Sequence, residues 1–374
     1  MNSKSILFVS TVREWGGSEI LWAETAVSLA DKGYNIIFAI RYNGSIVDKL
    51  KSRGASGINI GQVSNIERVL RKIKLKRHPF LHALLKKKPQ LVVISQGSNV
   101  DARYYMTVCR QQGVPYVTVA QLVANILWAF IDDETLNELR AGYAKAQLNY
   151  FVSQANLDLH NLMIGDQHSN AKIILNSFSA PIEVPEEYPS LVNGHYQIAL
   201  VGRFEMFHKG HDLLLQLLGQ RKWKDRPVSF NLYGAGPHRQ LIERLLIIYD
   251  IKNVFFKGYV PSIAEVWKNN HLLILPSRME GQSLALLEAM WFYRGAVVTD
   301  VGGARDLVTE GENGFIAAFP TVLHIDAALE KAWSQREQWE MIGKNAGKKV
   351  REVYQEHPVA AFTKELETVF NKTT

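Results

Sequence analysis

Short runs of apolar and β-branched residues alternate along the chain with longer stretches whose apolar positions recur at helical spacing. This alternation predicts repeated strand–helix units, because buried parallel strands are short apolar runs and amphipathic helices have a period of 3.6 residues. The predicted strands are 6–11, 34–40, 57–63, 91–95, 115–121, 150–153, 172–175, 197–201, 229–233, 254–256, 272–275 and 296–299. The sequence therefore predicts an α/β protein with parallel sheets covered on both faces.

The alternation stops between residues 176 and 195, where prolines, a glycine and acidic residues give the composition of a linker. We therefore predict an N-terminal Rossmann-like domain over residues 1–180 and a C-terminal one over 181–355. An amphipathic helix within residues 356–374 is expected to pack back toward the N-terminal domain. Ligands of open α/β sheets bind at the carboxyl ends of the strands, so we expect the two domains to face a shared cleft.

Composition favours an ordinary globular protein, with 47% hydrophobic and 21% charged residues. The single cysteine, Cys109, excludes an intramolecular disulfide and a cysteine-rich metal site, which favours the cytoplasm. The first apolar run, residues 6–9, is too short for a signal sequence or a membrane span.

The formal net charge of +7 comes from one local patch, because the segment from Arg68 to Lys88 has nine Lys and Arg residues and no acid. The remainder of the chain is slightly acidic. The patch has an apolar side, so it could lie on an anionic membrane surface, or it could be a solvated basic helix that covers the first sheet. No nucleic-acid-binding motif or aromatic run accompanies it, and no nucleic-acid partner is expected.

Residues 275–290 predict a strand end, a turn and the start of a helix, and they carry two glutamates. Ser283 is a suitable N-cap, which leaves the backbone N–H groups around it able to hold an anion. Glu280 precedes the cap and Glu288 lies in the first turns, so their carboxylates could address different hydroxyl groups of one ligand. The alternative is an acidic first turn that only complements the helix dipole.

Arg203 and Lys209 lie on the loop after the first strand of the C-terminal domain, where together they could neutralise a departing diphosphate. The alternative is a solvated basic loop. His208 and His211, in the same segment, show no metal-ligand spacing and are interpreted as polar loop residues. The chain has no D-x-D triplet, so no metal site is predicted.

Together, these segments resemble retaining glycosyltransferase family 4 of the GT-B superfamily, the group 1 glycosyl transferases. The family's E-x7-E motif corresponds to Glu280 and Glu288, and its basic loop corresponds to Gly202-Arg203 and Lys209-Gly210. The other matching segments are Gly16-Gly17-Ser18-Glu19, Tyr233-Gly234-Ala235-Gly236-Pro237, Gly258-Tyr259-Val260, Val301-Gly302-Gly303, Asp306-Leu307-Val308 and Asn313-Gly314-Phe315. The resemblance covers nearly the whole chain and implies the GT-B fold.

The resemblance also implies roles for individual residues. Arg203 and Lys209 would hold the donor diphosphate, Glu280 would lie beside the donor sugar, and Glu288 would bind the ribose hydroxyls. The other implied donor-binding residues are Gln282, Ser283 and Leu284 through their backbone amides, Gly16 and Gly17 near the pyrophosphate, Gly234, and Tyr259 and Val260 beside the base.

Three positions depart from the family pattern. Gln121 stands where many members have a histidine near the transferred sugar, Asp306 where glutamate is common, and Gln282 where an aromatic or aliphatic residue is usual. These differences bear on the identity of the donor sugar.

The resemblance implies metal-independent, retaining transfer of a sugar from a nucleotide-diphosphate-sugar to a saccharide or lipid-linked acceptor, in cell-surface polysaccharide or glycolipid synthesis. The expected location is cytoplasmic, or peripheral at the inner face of the membrane. Retention can arise by double displacement or by front-face attack, and the resemblance favours front-face attack with Glu280 as a positioning and stabilising group. The alternatives are a catalytically silent carbohydrate-binding relative, a GT-B epimerase or phosphorylase, and a nucleic-acid-binding protein.

Overall fold

The computed structural model describes residues 4–61, 78–178, 184 and 187–373. It divides the chain into two compact units. Unit 1 comprises residues Met1–Ser177 and Glu356–Thr374, and unit 2 comprises Phe178–Gln355. The domain boundary predicted between residues 180 and 181 lies outside the described residues.

Unit 1 contains a seven-stranded parallel sheet in the order β3-β2-β1-β4-β5-β6-β7. The strands are β1 Ser5–Ser10, β2 Asn35–Ile40, β3 Ser56–Asn59, β4 Leu91–Gln96, β5 Tyr116–Ala120, β6 Asn149–Phe151 and β7 Ala171–Ile173. All seven overlap predicted strands, although the prediction for 57–63 extends into residues 62 and 63, which lie outside the described part of the chain.

Helices cover both faces of this sheet. They are α1 Ile20–Asp31, α2 Ser45–Lys51, α3 Pro79–Lys87, α4 Arg103–Gln112, α5 Asp133–Lys145 and α6 Gln154–Ile164. Successive residues of β1 point to opposite faces, so Ile6 and Phe8 pack in the core that contains α1, whereas Leu7 and Val9 pack in the core that contains α4. Burial on both faces explains the continuous apolar run in the sequence.

Unit 2 contains a six-stranded parallel sheet in the order β10-β9-β8-β11-β12-β13. The strands are β8 Tyr196–Val201, β9 Val228–Tyr233, β10 Val254–Gly258, β11 Leu272–Leu275, β12 Gly295–Thr299 and β13 Phe315–Ala317. The sequence predicts the first five but not β13, whose three residues are too short a run to show strand periodicity.

The helices of unit 2 also lie on both faces of its sheet. They are α7 Met206–Lys209, α8 His211–Leu218, α9 Arg221–Lys224, α10 Arg239–Ile248, α11 Ile263–Lys268, α12 Leu284–Trp291, α13 Ala304–Leu307, α14 Val322–Ser334 and α15 Trp339–Val353. In β8, Ile198 and Leu200 pack in one core and Ala199 packs in the other. Both units are therefore doubly wound α/β structures, as predicted.

The last helix, α16 Pro358–Thr373, returns to unit 1 after the chain has passed through unit 2. Phe362 and Phe370 are buried in the core that contains α1, and their rings make edge contacts with Tyr150 and Tyr34 at centroid distances of 5.2 and 5.3 Å. The apolar stripe expected in this segment therefore buries against unit 1.

Candidate functional site

Two loops of unit 2 meet at the carboxyl edge of its sheet, because they follow the neighbouring strands β8 and β11. Lys209 Nζ donates a hydrogen bond of 2.7 Å to Glu280 Oε1. Ser277 Oγ donates to the same oxygen, also at 2.7 Å. The Lys209 and Glu280 side chains are 24% and 13% exposed, so their charges lie at a partly shielded surface that a ligand can reach.

Backbone packing fixes the approach of the two loops. Gly210 has a φ of +66°, and a Cβ atom there would lie 1.9 Å from the carbonyl oxygen of Pro276. Gly302 has a φ of +54°, and its Cβ would lie 2.2 Å from the carbonyl oxygen of Glu280. Only glycine fits at either position, so the loop that carries Glu280 is held from both sides.

The N-terminus of α12 adds an anion-binding element beside Glu280. Ser283 caps the helix, since its Oγ accepts from the backbone N–H of Leu286 at 3.4 Å. Within the described residues, the backbone N–H groups of Ser283 and Leu284 donate no hydrogen bond. Ser277, Glu280 and Ser283 also line one small cavity. A cation, a carboxylate and a helix N-terminus are thus close together.

Glu288 lies on α12, four residues after Leu284, and its side chain is partly exposed. Burial raises the pKa of this carboxyl to about 7. Among the described residues it has no hydrogen-bond or ion-pair partner. Such a group can accept from or donate to hydroxyl groups of a ligand near neutral pH.

Other predicted residues of unit 2 follow the neighbouring strands β8, β9 and β10 and differ in their exposure. Arg203 is exposed on the loop that leads to Lys209. Gly234 follows β9 and donates its N–H to the carbonyl oxygen of Gly258 at 2.8 Å. After β10, the Tyr259 side chain is 78% exposed, whereas Val260 packs partly against the core that contains α12.

Gln282 is almost fully buried, and its Oε1 accepts a hydrogen bond of 3.0 Å from the Tyr354 hydroxyl at the end of α15. The side chain is therefore held inside unit 2. Asp306 lies in the first turn of α13 and is exposed.

The predicted residues of unit 1 lie at the carboxyl ends of its strands. Gly16 and Gly17 lead from β1 into a short 3₁₀ turn, Gly17–Glu19, which continues into α1. Gln121 directly follows β5 and is 6% exposed, and neither polar atom of its amide has a hydrogen-bond partner among the described residues. An unpaired buried amide costs about 1–3 kcal/mol, which a water or a ligand hydroxyl would relieve.

The structure also corrects one interpretation and adds three residues. His211 is not a polar loop residue, because it begins α8, is 1% exposed, and burial lowers its pKa to about 4. Ser277, Arg278 and Asp212 contact the site loops, although the sequence assigned them no role. Ser277 and Arg278 lie inside the motif that contains Glu280, which is the signal that could have found them.

The basic patch from Arg68 to Lys88 falls largely outside the described residues, which resume at residue 78. In the described part, α3 buries Phe80 and Leu84, and Lys86, Lys87 and Lys88 are exposed at its end. No helix of the described ranges is long and apolar enough to cross a bilayer. Within the same ranges, no three His, Cys, Asp or Glu side chains are grouped so as to hold a metal ion.

Comparison with known proteins places this site in a family context. Residues 189–349 match the model of the family described as glycosyl transferases group 1. A poly(ribitol-phosphate) alpha-N-acetylglucosaminyltransferase of Staphylococcus aureus (strain COL) is 31% identical over 107 residues, which are 28% of this chain and 22% of the relative. The capsular polysaccharide biosynthesis glycosyltransferase CapM of Staphylococcus aureus is 26% identical over 191 residues, which are 50% of this chain and 49% of CapM.

The matched region thus spans at most about half the length of these two curated relatives. Among solved structures, HepE from Anabaena in complex with UDP aligns over 98% of this chain and 100% of its own, with a TM-score of 0.75 and 16% identity. The likeness in three dimensions extends over both units, whereas the family model covers most of unit 2. The chain therefore has the GT-B fold, and residues 189–349 carry the sequence pattern of group 1 glycosyl transferases.

Proposed function

We propose that this protein is a retaining glycosyltransferase of family 4, which transfers a sugar from a nucleotide-diphosphate-sugar to a saccharide or lipid-linked acceptor. The observation that carries the proposal is the contact of Lys209 with Glu280 beside the N-terminus of α12. The group 1 family match and the names of the two Staphylococcus aureus relatives support transfer in cell-surface polysaccharide or glycolipid synthesis.

Lys209, Arg203 and the α12 N-terminus would hold the diphosphate. Negative charge develops on the leaving diphosphate when the sugar–phosphate bond breaks, so preorganised cations and backbone N–H groups stabilise the transition state more than the ground state. HepE, which shares the fold, was crystallised with UDP. We infer that the partly shielded Lys209 ammonium contributes most of this stabilisation, since Arg203 is more exposed.

Glu280 would lie beside the transferred sugar, and Glu288 would bind the ribose. The Glu280 carboxylate is held by Lys209 and Ser277, which suits a group that positions the sugar and stabilises its oxocarbenium character. We propose front-face transfer, in which a phosphate oxygen of the departing group accepts the acceptor's proton. A covalent sugar adduct on Glu280 would instead establish double displacement.

Reaction without a divalent metal is part of the proposal. Lys209, Arg203 and the helix N-terminus supply positive charge where other enzymes use a metal ion. Activity that is unchanged by EDTA would support this. Loss of activity with EDTA, restored by Mg²⁺ or Mn²⁺, would overturn it.

Binding and turnover test the function directly. UDP, GDP and ADP are compared for the rise each gives in the melting temperature, since a ligand of the native state stabilises it. With the sugar conjugates of the best nucleotide, release of nucleoside diphosphate and the anomeric configuration of the product are followed by NMR. Retention of the donor's anomeric configuration is expected, and an inverted product would contradict the proposal.

A matched pair of variants isolates the site. Lys209→Ala should lower nucleoside diphosphate affinity at least about tenfold, because a partly buried charge pair with phosphate is lost. Lys331→Ala removes a different Lys–Glu pair of unit 2, also at 2.7 Å, and should leave the affinity for nucleoside diphosphate unchanged. Equal effects of the two substitutions would remove Lys209 from the site.

We further propose that the protein lies in the cytoplasm and contacts an anionic membrane through the segment from Arg68 to Lys88. The exposed Lys86, Lys87 and Lys88 support it. Each Lys or Arg near an anionic surface contributes about 1 kcal/mol. Flotation with phosphatidylglycerol liposomes at low salt should carry the protein upward. Its absence from the floated fraction would remove the membrane contact and leave a solvated basic helix.

A further inference from the structure

Arg278 binds the segment that carries Lys209 through its side chain. Its Nη1 and Nη2 donate to Asp212 Oδ1 and Oδ2 at 2.8 and 2.6 Å, a bidentate pair. Asp212 lies in the first turn of α8, three residues after Lys209. The Arg278 and Asp212 side chains are 24% and 36% exposed, so solvent screens the pair only in part.

The same arginine also binds the backbone of α7. Nη1 lies 3.3 and 3.4 Å from the carbonyl oxygens of Met206 and Phe207, and the Arg278 backbone N–H donates to the carbonyl oxygen of His208 at 2.8 Å. Cations that bind the last carbonyl groups of a helix stabilise its C-terminus. Arg278 thus joins α7 and α8 to the loop that carries Glu280.

The α7 helix depends on such contacts because it has only four residues, Met206–Lys209, too few to be stable alone. Lys209 is its last residue, and Gly210 then packs against the carbonyl oxygen of Pro276. Burial raises the pKa of Asp212, but hydrogen bonds and the charge of Arg278 outweigh it, so the net pKa lies below its usual value and the pair stays ionised at neutral pH.

Both terminal nitrogens of Arg278 donate to acceptors on the α7–α8 segment, so this side chain holds the segment that carries Lys209. We propose that Arg278 and Asp212 are positioning residues, whose ion pair holds the α7–α8 segment so that Lys209 reaches the donor diphosphate. The inference rests on the proposed function, because it names what sets the geometry of the diphosphate contact. Lysine cannot replace the arginine fully, since it lacks the planar fork.

The test compares a nucleoside diphosphate with its own nucleoside, because only the diphosphate meets Lys209. The probes are UDP, GDP and ADP with uridine, guanosine and adenosine, measured by calorimetry and by competition. Arg278→Gln and Asp212→Asn should each weaken diphosphate binding about tenfold and leave nucleoside binding unchanged. The diphosphate affinity of Arg278→Lys should lie between that of the wild type and that of Arg278→Gln.

Arg226→Gln is the matched control. Arg226 pairs with Glu330 at 2.8 Å, is 22% exposed, and lies just before β9, at the opposite edge of the same sheet. The Arg226→Gln substitution should lower the melting temperature as much as Arg278→Gln does, while leaving the affinities for diphosphate and nucleoside unchanged. If Arg278→Gln does not fold, Asp212→Asn and Arg278→Lys carry the comparison.

Two further results decide the inference. In a Lys209→Ala background, Arg278→Gln should weaken diphosphate binding less than twofold further, because the contact it positions is already lost. Full additivity, or an equal loss of diphosphate and nucleoside affinity, would overturn the positioning role while leaving the proposed function standing. If the wild-type protein binds none of the three diphosphates, that result would contradict the proposed function and this inference with it.

Discussion

The first strands of the two units lead into loops that occupy equivalent places but treat their acidic groups in opposite ways. After β1, Glu19 is fully buried and accepts hydrogen bonds from Trp22 and Tyr42. Burial raises the pKa of this carboxyl above its usual value, although side-chain hydrogen bonds with Ser10, Tyr42 and Trp22 oppose the shift. After β8, Lys209 reaches Glu280 at a partly exposed surface. The acidic side chain of the first loop is buried inside its unit, whereas the second loop presents charged side chains at a surface that a ligand can reach.

The contrast teaches that the topology of the sheet sets where a loop lies. The burial and the hydrogen-bond partners of its acidic side chain decide whether a ligand can reach that side chain. Desolvation of a buried carboxyl opposes its ionisation, whereas hydrogen-bond donors around it favour the charged form. The side chains of an ion pair at a partly exposed surface, such as Lys209 and Glu280, can change partners when a ligand arrives.

The largest effect is expected from Glu280→Gln. The amide keeps the shape and can still accept from Lys209 and Ser277, but it removes the negative charge beside the reacting sugar. Turnover should fall about 10³-fold, in the range found when a preorganised electrostatic group is lost. Initial rates of nucleoside diphosphate release measure it. Activity within tenfold of wild type, with an unchanged melting temperature, would show that the charge is not needed.

Gly210→Ala should destabilise the protein by about 3 kcal/mol, because its Cβ would collide with the carbonyl oxygen of Pro276 and its φ is +66°. Gly311→Ala is the matched control, since that glycine has a φ of +76° and no atom within 4 Å of the added Cβ. It should cost only about 1 kcal/mol, from backbone strain alone. Urea unfolding measures both, and equal losses would mean that the contact with Pro276 does not matter.

Glu288→Gln should change how stability depends on pH. The native carboxyl has a pKa of about 7, whereas the unfolded one titrates near 4.5, so the native state keeps a proton that the unfolded state releases. Stability should therefore fall as pH rises from about 4.5 to 7, by about 1–2 kcal/mol after allowance for partial exposure. In Glu288→Gln this fall should be absent. Urea unfolding at pH 5 and 7 tests it, and an unchanged slope would contradict the raised pKa.

The smallest effect is expected from Glu19→Gln. The amide oxygen can accept the same hydrogen bonds from Trp22 and Tyr42, and the side chain is fully buried. Turnover should stay within about threefold of wild type, because the shape of the side chain and both accepted hydrogen bonds are preserved. Glu19→Ala is the companion variant, and should lower the melting temperature by leaving both donors unpaired. A large loss of turnover in Glu19→Gln would mean that both loops use ionised carboxylates.

Sequence periodicity predicts nearly all strands, whereas only the family resemblance implied that Lys209 and Glu280 would face the same donor. It did not predict β13, which is only three residues long. Nor did it identify the pairing of Arg278 with Asp212, since that depends on how a guanidinium fork meets another loop. The sequence pattern did not indicate the burial of His211, because Gly210 ends one helix and directly precedes the next.

The return of α16 to unit 1 has a consequence for how the chain folds during synthesis. Phe362, Leu366, Val369 and Phe370 complete a core whose other buried members lie more than 180 residues earlier. The ribosome must therefore translate all of unit 2 before these side chains emerge, while unit 2 can close its own core first. Until then a strip of apolar surface on α1 stays open, so nascent chains that stall before residue 358 should be the species most in need of chaperones.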